Sequence, residues 1–174
     1  MNDILSSEVE LGIVGAKADD KKISQERIIE DDMRVVVPGT HKWTNRASIG
    51  LSTLLEEPFI IREKGSGTLS SIYKSLSEKG KDRKNLNIVS EMGSTEAVIQ
   101  GIKSMVGISI LSPIAVVDEL KAGTLKALTI KGLNLKRSFY LTWHKDRSAS
   151  PLGKAFIDFI KKSQLGANGI LNEE

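Results

Sequence analysis

Apolar positions along the chain follow two different periods, and the clearest change from one to the other lies within residues 57–76. Residues 59–61 (Phe-Ile-Ile) form a short apolar run that suits a buried strand, and residues 65–68 (Gly-Ser-Gly-Thr) interrupt it. Apolar side chains then recur at helical spacing, at Leu69, Ile72, Tyr73 and Leu76. This pattern predicts a strand, a tight loop and a helix.

Residues 86–105 repeat this design. Ile88 and Val89 predict a second strand, residues 91–96 (Glu-Met-Gly-Ser-Thr-Glu) form a loop and a helix start, and an apolar stripe follows at Val98, Ile99, Ile102 and Met105. The first amides of a helix lack partners within the helix, so each start is suited to an anion or carboxylate. Two interpretations stay open: the hydroxyl residues are only N-caps, or both helix starts hold one shared ligand.

The rest of the pattern predicts further strands and helices. In chain order these are a strand at 9–14, one or two strands within 23–37, a turn at 38–40, a helical turn at 52–55, strands at 107–111 and 125–130, a helix from Ser112-Pro113 to Gly123, a strand at 139–143, and a last helix after Ser150-Pro151 with Leu152, Ala155, Phe156, Phe159 and Ile160 on one apolar face. Alternating strands and helices favour an α/β protein with largely parallel sheets. Residues 163–174 are expected to be poorly ordered.

Length and composition indicate an ordinary globular protein of one domain or two small lobes. The chain has 174 residues, of which 40% are hydrophobic, and it has no Cys, which excludes disulfides and thiolate metal sites. No apolar run approaches the roughly 20 residues that cross a bilayer, and residues 1–7 lack the pattern of a signal peptide. We therefore expect a cytoplasmic protein without membrane contact.

The formal net charge of +3 is low for a nucleic-acid-binding protein. Basic residues are concentrated between residues 131 and 162, but the aromatic residues there are expected to lie on buried faces of a strand and a helix. A solvated basic face is the expected result.

No catalytic or metal-binding set can be assembled from the sequence. His41 and His144 are the only histidines, and His41 has no carboxylate close in sequence. The acidic pairs at 19–20 and 31–32 are adjacent residues that would point to opposite faces of a strand. Residues 65–68 lack the Gly-Lys-Ser/Thr ending of a Walker loop. We therefore expect no enzyme activity, no cofactor and no metal.

An ordered set of short motifs resembles the effector-binding domain of LysR-type transcriptional regulators. The resemblance covers roughly residues 9–161 and rests on Val35-Val36-Val37-Pro38-Gly39-Thr40-His41, Glu57-Pro58-Phe59-Ile60, Gly65-Ser66-Gly67-Thr68, Gly93-Ser94-Thr95-Glu96-Ala97, Gly107-Ile108-Ser109-Ile110-Leu111-Ser112 and Phe139-Tyr140-Leu141.

The resemblance implies a two-lobe, periplasmic-binding-protein-like (type 2) α/β fold with hinge strands and an interlobe cleft. Lobe one would comprise residues 1–55 and 134–174, and lobe two residues 56–133. A small anion or carboxylate would bind in the cleft. The positions that match the family's binding site are Gly15, Ala16, Ser66, Gly67, Thr68, Gly93, Ser94, Thr95 and Ile108.

The sequence also departs from the family pattern. The winged helix-turn-helix, the linker helix and the opening strand and helix of lobe one are not found, so DNA would be bound only through a domain absent from this chain. Leu69 stands where the family often has Arg, and Met105 where it usually has Gly, which would strain Met105 if φ is positive there.

The resemblance further implies a homo-oligomer. A stand-alone solute-binding protein of the same fold is the alternative function, and an enzyme is the third.

Overall fold

The computed structural model describes residues 1–15 and 17–162, so Ala16 and the expected disordered tail at 163–174 lie outside the described residues. The strands are β1 (Leu11–Val14), β2 (Ile23–Asp32), β3 (Arg34–Pro38), β4 (Ser48–Gly50), β5 (Phe59–Arg62), β6 (Ile88–Met92), β7 (Ser109–Leu111), β8 (Leu125–Lys131) and β9 (Lys136–His144). The helices are α1 (Asn2–Leu5), α2 (Leu51–Glu56), α3 (Gly67–Ser77), α4 (Thr95–Lys103), α5 (Val117–Lys121) and α6 (Pro151–Lys162), with short 3-10 turns at Arg83–Asn85 and Pro113–Val116. Within these described ranges no helix has the length and apolar character needed to cross a membrane.

The chain forms two compact units, Met1–Asp31 with Lys136–Glu174, and Asp32–Leu135. The lobes expected from the family resemblance differ from this division, because residues 32–55 were expected in the first lobe. In the structure β3 pairs with β7 and β8, and β4 pairs with β8. Because β3 and β4 pair with these strands, residues 32–55 belong to the second unit.

The first unit contains a small sheet in the order β1-β9-β2, with β1 antiparallel to β9. Its buried apolar cluster consists of Ile28, Leu141 and Ile160. The start of α6 agrees with the sequence prediction, since the Ser150 hydroxyl accepts a hydrogen bond from the Gly153 amide at 3.0 Å. The small cluster leaves little apolar surface for α6 to cover.

The expected burial of the apolar face of α6 is wrong for most of its residues. Leu152 is 81% exposed, Phe156 41% and Phe159 62%. Ile160, which belongs to the predicted face, is buried, and so is Gly153. We call Leu152, Phe156 and Phe159 the α6 apolar face; the helical period correctly groups these residues, but it does not say which side meets a sheet.

The second unit contains a sheet in the order β4-β8-β3-β7 and a pair of strands, β5 and β6. Hydrogen bonds of 2.8 Å from the Ile60 amide to the Ile108 carbonyl and from the Ile108 amide to the Pro58 carbonyl join the two sets. Strand β8 is parallel to β4 but antiparallel to β3, which is antiparallel to β7. Strands β4, β7 and β8 therefore share one direction, and β3 runs against them.

The expectation of largely parallel sheets is wrong for the β1–β9, β3–β7 and β3–β8 ladders. The helical segment between β7 and β8 does make those two strands run in the same direction, as a crossover connection should. The sequence pattern could not show that β3, far away in the chain, is inserted between them.

Strand β3 explains why the core of the second unit has two layers. Val35 and Val37 belong to one cluster, together with Leu54 of α2 and the buried face of α3. Val36 belongs to another, together with Val98, Ile99 and Ile102 of α4. Successive strand residues point to opposite faces, so a continuous Val run is what a strand covered on both faces requires.

Candidate functional site

The two helix starts noted in the sequence lie at one edge of the β5–β6 pair. These strands are parallel, and Arg62 at the end of β5 is in register with Met92 at the end of β6. The Glu63 amide donates to the Met92 carbonyl at 3.1 Å, which holds the two loops together as they leave the strands. The carboxyl ends of both strands therefore lead into α3 and α4 from the same edge.

The start of α3 is open and is not capped by its own hydroxyl. Gly65 has φ +101, a left-handed conformation that favours glycine, and a side chain at Gly67 would meet nothing within 4 Å. Ser66 occupies the N-cap position, but its side chain makes no capping hydrogen bond, although the residue is only 8% exposed. The N-cap interpretation therefore does not explain the Ser66 hydroxyl.

The start of α4 is different, because there the N-cap interpretation holds. The Ser94 hydroxyl accepts a hydrogen bond from the Ala97 amide at 3.0 Å. The preceding Gly93 is exposed, and no atom lies within 4 Å of the position a Cβ would take. The Ser94 hydroxyl is thus used in capping α4, while the space beside Gly93 is open.

Arg62 brings a positive charge to this edge. Its Nη1 donates to the Thr95 hydroxyl at 2.6 Å, and its Nε and Nη2 donate to the Glu63 carboxylate at 2.7 and 2.8 Å. The Glu63 hydrogen bonds raise the pKa of Arg62, and the Arg62 guanidinium lowers the pKa of Glu63. A fixed guanidinium beside a helix start is a strong partner for a carboxylate or phosphate.

Arg62 was not predicted from the sequence. The prediction noted only that Leu69 stands where the family often has a positively charged arginine. Arg62 and Thr95 are 33 positions apart, so no local pattern connects them. The available signal was a basic residue at the end of a strand, directly before a glycine-rich loop.

The structure gathers part of the expected site and leaves part of it elsewhere. Around the carboxyl ends of β5 and β6 it places Ser66, Gly67, Thr68, Gly93, Ser94 and Thr95. Ile108 is buried at the amino end of β7, where its backbone pairs with β5. Gly15 is an exposed loop residue of the first unit, and Ala16 lies outside the described residues.

Metal coordination has no structural support in the described ranges 1–15 and 17–162, where no group of three or more His, Cys, Asp or Glu side chains is placed to hold an ion. His144 Nδ1 accepts from the Asp146 amide at 3.2 Å, a local turn interaction. His41 Nε2 lies 3.7 Å from the Glu57 carboxylate.

Comparison with known proteins gives consistent matches. The profile of the family described as LysR substrate binding domain matches residues 1–164. The RuBisCO operon transcriptional regulator of Acidithiobacillus ferrooxidans is 32% identical over 161 residues, 92% of this chain and 51% of that protein. The transcriptional activator CmpR of Synechocystis is 29% identical over 87% of this chain and 49% of that protein. The chain spans about half the length of the curated relatives it matches.

Solved structures agree on the fold. The regulatory domain of Synechocystis CcmR in complex with 2-PG superposes with a TM-score of 0.83 at 26% identity, over 94% of this chain and 77% of that one. The effector-binding domain of QuiR in complex with shikimate has a TM-score of 0.77 at 24% identity, over 91% and 73%. The two-lobe fold expected from the sequence is therefore confirmed, and the chain belongs to the LysR substrate-binding domain family.

Proposed function

We propose that this chain is the effector-sensing part of a LysR-type transcriptional regulator and that its effector is a small anion, a carboxylate or a phosphate ester. The observation that carries the proposal is the Arg62 guanidinium, bonded to Thr95 at the start of α4, at the edge where α3 also begins. Helix N-termini and guanidinium groups both favour negative charge.

The binding residues in this proposal are those at the two helix starts. Backbone amides at Gly67 and Thr68 and the hydroxyls of Ser66, Thr68 and Thr95 supply hydrogen bonds, and Arg62 supplies the counter-charge. Glu63 accepts hydrogen bonds from two donors of Arg62, at 2.7 and 2.8 Å. An effector anion would exchange with that carboxylate. Gly15, Ala16 and Ile108 remain positions assigned only through the family.

Calorimetric titration tests this proposal, and 2-PG is the first ligand to try because the similar CcmR domain was solved with it. Thr95→Val and Thr68→Val are the test variants, since each removes a hydroxyl without much change of volume. A hydrogen bond to a charged group contributes about 1.5–3 kcal/mol, so each variant should weaken binding by about tenfold or more.

Thr129→Val is the matched control. The Thr129 hydroxyl also accepts from an arginine, Arg34, at 2.7 Å, but it lies on β8, outside the helix starts. Its substitution should leave the affinity unchanged. Full affinity in both test variants, or an equal loss in the control, would remove the helix starts as the binding site.

We further propose that the protein acts in the cytoplasm as a homo-oligomer, and that DNA is bound through a winged helix-turn-helix in the complete regulator. The relatives support regulation rather than catalysis, because they are named as transcriptional regulators. Self-association is supported by the α6 apolar face, whose three large side chains are 41–81% exposed.

A further inference from the structure

A cavity lies in the second unit, at the ends of β5 and β7 that are opposite to the helix starts. Its volume is about 310 Å³, near the lower end of the range of roughly 300–1,000 Å³ for small-molecule sites. Its lining includes Pro38 at the carboxyl end of β3, Pro58 before β5, and Gly107 and Ile108 before β7. The helix starts follow the carboxyl ends of β5 and β6, whereas this cavity lies at the amino ends of β5 and β7.

Apolar residues form part of the cavity wall. Gly107 approaches Pro58 so closely that a Cβ on Gly107 would lie 2.6 Å from the Pro58 carbonyl oxygen. Ile108 is 2% exposed, and Met105, at the rim, is 73% exposed. A flexible thioether side chain at a rim can fold over a bound apolar group.

One acidic side chain provides the fixed charge of the cavity. The Glu57 side chain is 13% exposed and its carboxylate contacts Lys42 Nζ, while the Lys42 side chain is 65% exposed. Burial lowers the pKa of His41 below its ordinary value of 6.5, so this imidazole is neutral near pH 7. His41 Nδ1 accepts from the Trp43 amide at 3.3 Å, which leaves the Nε2 proton directed at Glu57.

The two members of this ion pair are therefore unequal. Glu57 is enclosed and also faces His41. Lys42 extends into solvent, so its ammonium group stays hydrated when it leaves the carboxylate. A second cation that takes the place of Lys42 keeps the Glu57 carboxylate paired, so the exchange does not leave an unpaired charge in the cavity. An incoming anion would instead have to separate Lys42 from the enclosed Glu57 carboxylate, which would then lie unpaired in a partly apolar cavity.

We propose that this cavity binds a small organic cation, an ammonium group attached to an apolar body. The ammonium group replaces Lys42 at the Glu57 carboxylate, and the apolar body lies against Pro38, Pro58 and Ile108. This site is independent of the anion site at the helix starts: apart from Ile108, it shares no residue with the positions assigned through the family.

The test uses the full 174-residue chain and two probes of similar shape and opposite charge, phenethylammonium and 3-phenylpropionate, in calorimetric titrations. Phenethylammonium should bind and 3-phenylpropionate should not. Glu57→Gln should weaken phenethylammonium binding by about tenfold or more. Lys42→Ala should tighten it, by up to about fivefold, because the internal competitor is gone.

Lys131→Ala, at an exposed lysine of β8, is the matched control and should change nothing. The Lys42→Ala result keeps the test decisive even if Glu57→Gln disturbs folding, since a merely structural ion pair would not give tighter binding when it is removed. Weaker binding in Lys42→Ala, preferential binding of 3-phenylpropionate, or no phenethylammonium binding at millimolar concentration would each overturn the proposal.

Discussion

Met105 has a backbone conformation that its side chain disfavours. Its φ is 60, in the left-handed region, and it lies just after the end of α4, where its amide donates to the Ile102 carbonyl at 2.9 Å. Helices commonly end in this way, usually with glycine. The sequence pattern predicts Met105 as part of the apolar stripe of the helix, and this is wrong, since the residue follows the end of α4 and is 73% exposed. The family usually has glycine at this position, and the strain expected for Met105 at a positive φ agrees with the observed value.

Met105→Gly should therefore stabilise the protein by about 0.5–1 kcal/mol, because the left-handed penalty of roughly 1–2 kcal/mol exceeds the entropy that glycine gains in the unfolded chain. Urea unfolding measures the difference. Met105→Ala is the control, since it removes the exposed side chain but keeps a Cβ, and it should change stability little. A glycine variant no more stable than the alanine variant would contradict the strain argument.

The charged residues show the limit of reading single positions. Leu69 in place of an arginine suggested the loss of a counter-charge, but Arg62 supplies one at the same edge through its 2.6 Å bond to Thr95. Glu57 likewise meets His41, which is distant in the sequence. Such pairs depend on which strands become neighbours, and a single sequence carries no direct signal for that.

At the scale of elements, the two helix starts differ in how their serines are used, and this difference can be measured. The Ser94 hydroxyl accepts from the Ala97 amide at 3.0 Å, whereas the Ser66 side chain makes no capping bond. Ser94→Ala should cost about 1 kcal/mol of unfolding free energy, the typical value for a lost N-cap. Ser66→Ala should cost clearly less, because no helix bond is removed.

Denaturant unfolding of the two alanine variants side by side provides the measurement, and each serves as the other's control. Equal losses would mean that Ser66 also caps its helix in solution, and the N-cap interpretation would then hold for both serines. A selective loss at Ser94 leaves the Ser66 hydroxyl available for the effector.

The helices and strands themselves were largely predictable, because hydrophobic period depends on local geometry. The strand at Phe59–Arg62, the helix at Gly67–Ser77 and the last helix from Pro151 all lie where the pattern places them. Pairing direction was not predictable, because β3 is antiparallel to both β7 and β8 although it is far from each in the chain.

At the scale of the whole molecule, the family and its fold could be recognised from a set of motifs in a fixed order, each of them too short to be decisive alone. The lobe bounds expected from the family differ from those of the two compact units. The sequence does not show where residues 1–31 end and the second unit begins, because the ladders of β3 and β4 and the packing of Val35, Val37 and Leu54 in its core depend on residues distant in the chain.

The last prediction concerns association between copies. The α6 apolar face exposes Leu152 at 81% and Phe159 at 62%, and apolar surface of this kind favours contact with another molecule. Sedimentation velocity at several concentrations should show mass increasing with concentration. Phe159→Lys should shift the protein toward monomer, because a charge on this face must be desolvated on contact.

Val89→Lys is the control, since Val89 is similarly exposed, at 49%, but lies on β6 of the second unit. It should leave the mass distribution unchanged. A wild-type chain that sediments as a monomer at every concentration, or an equal shift in both variants, would exclude the α6 apolar face as the contact.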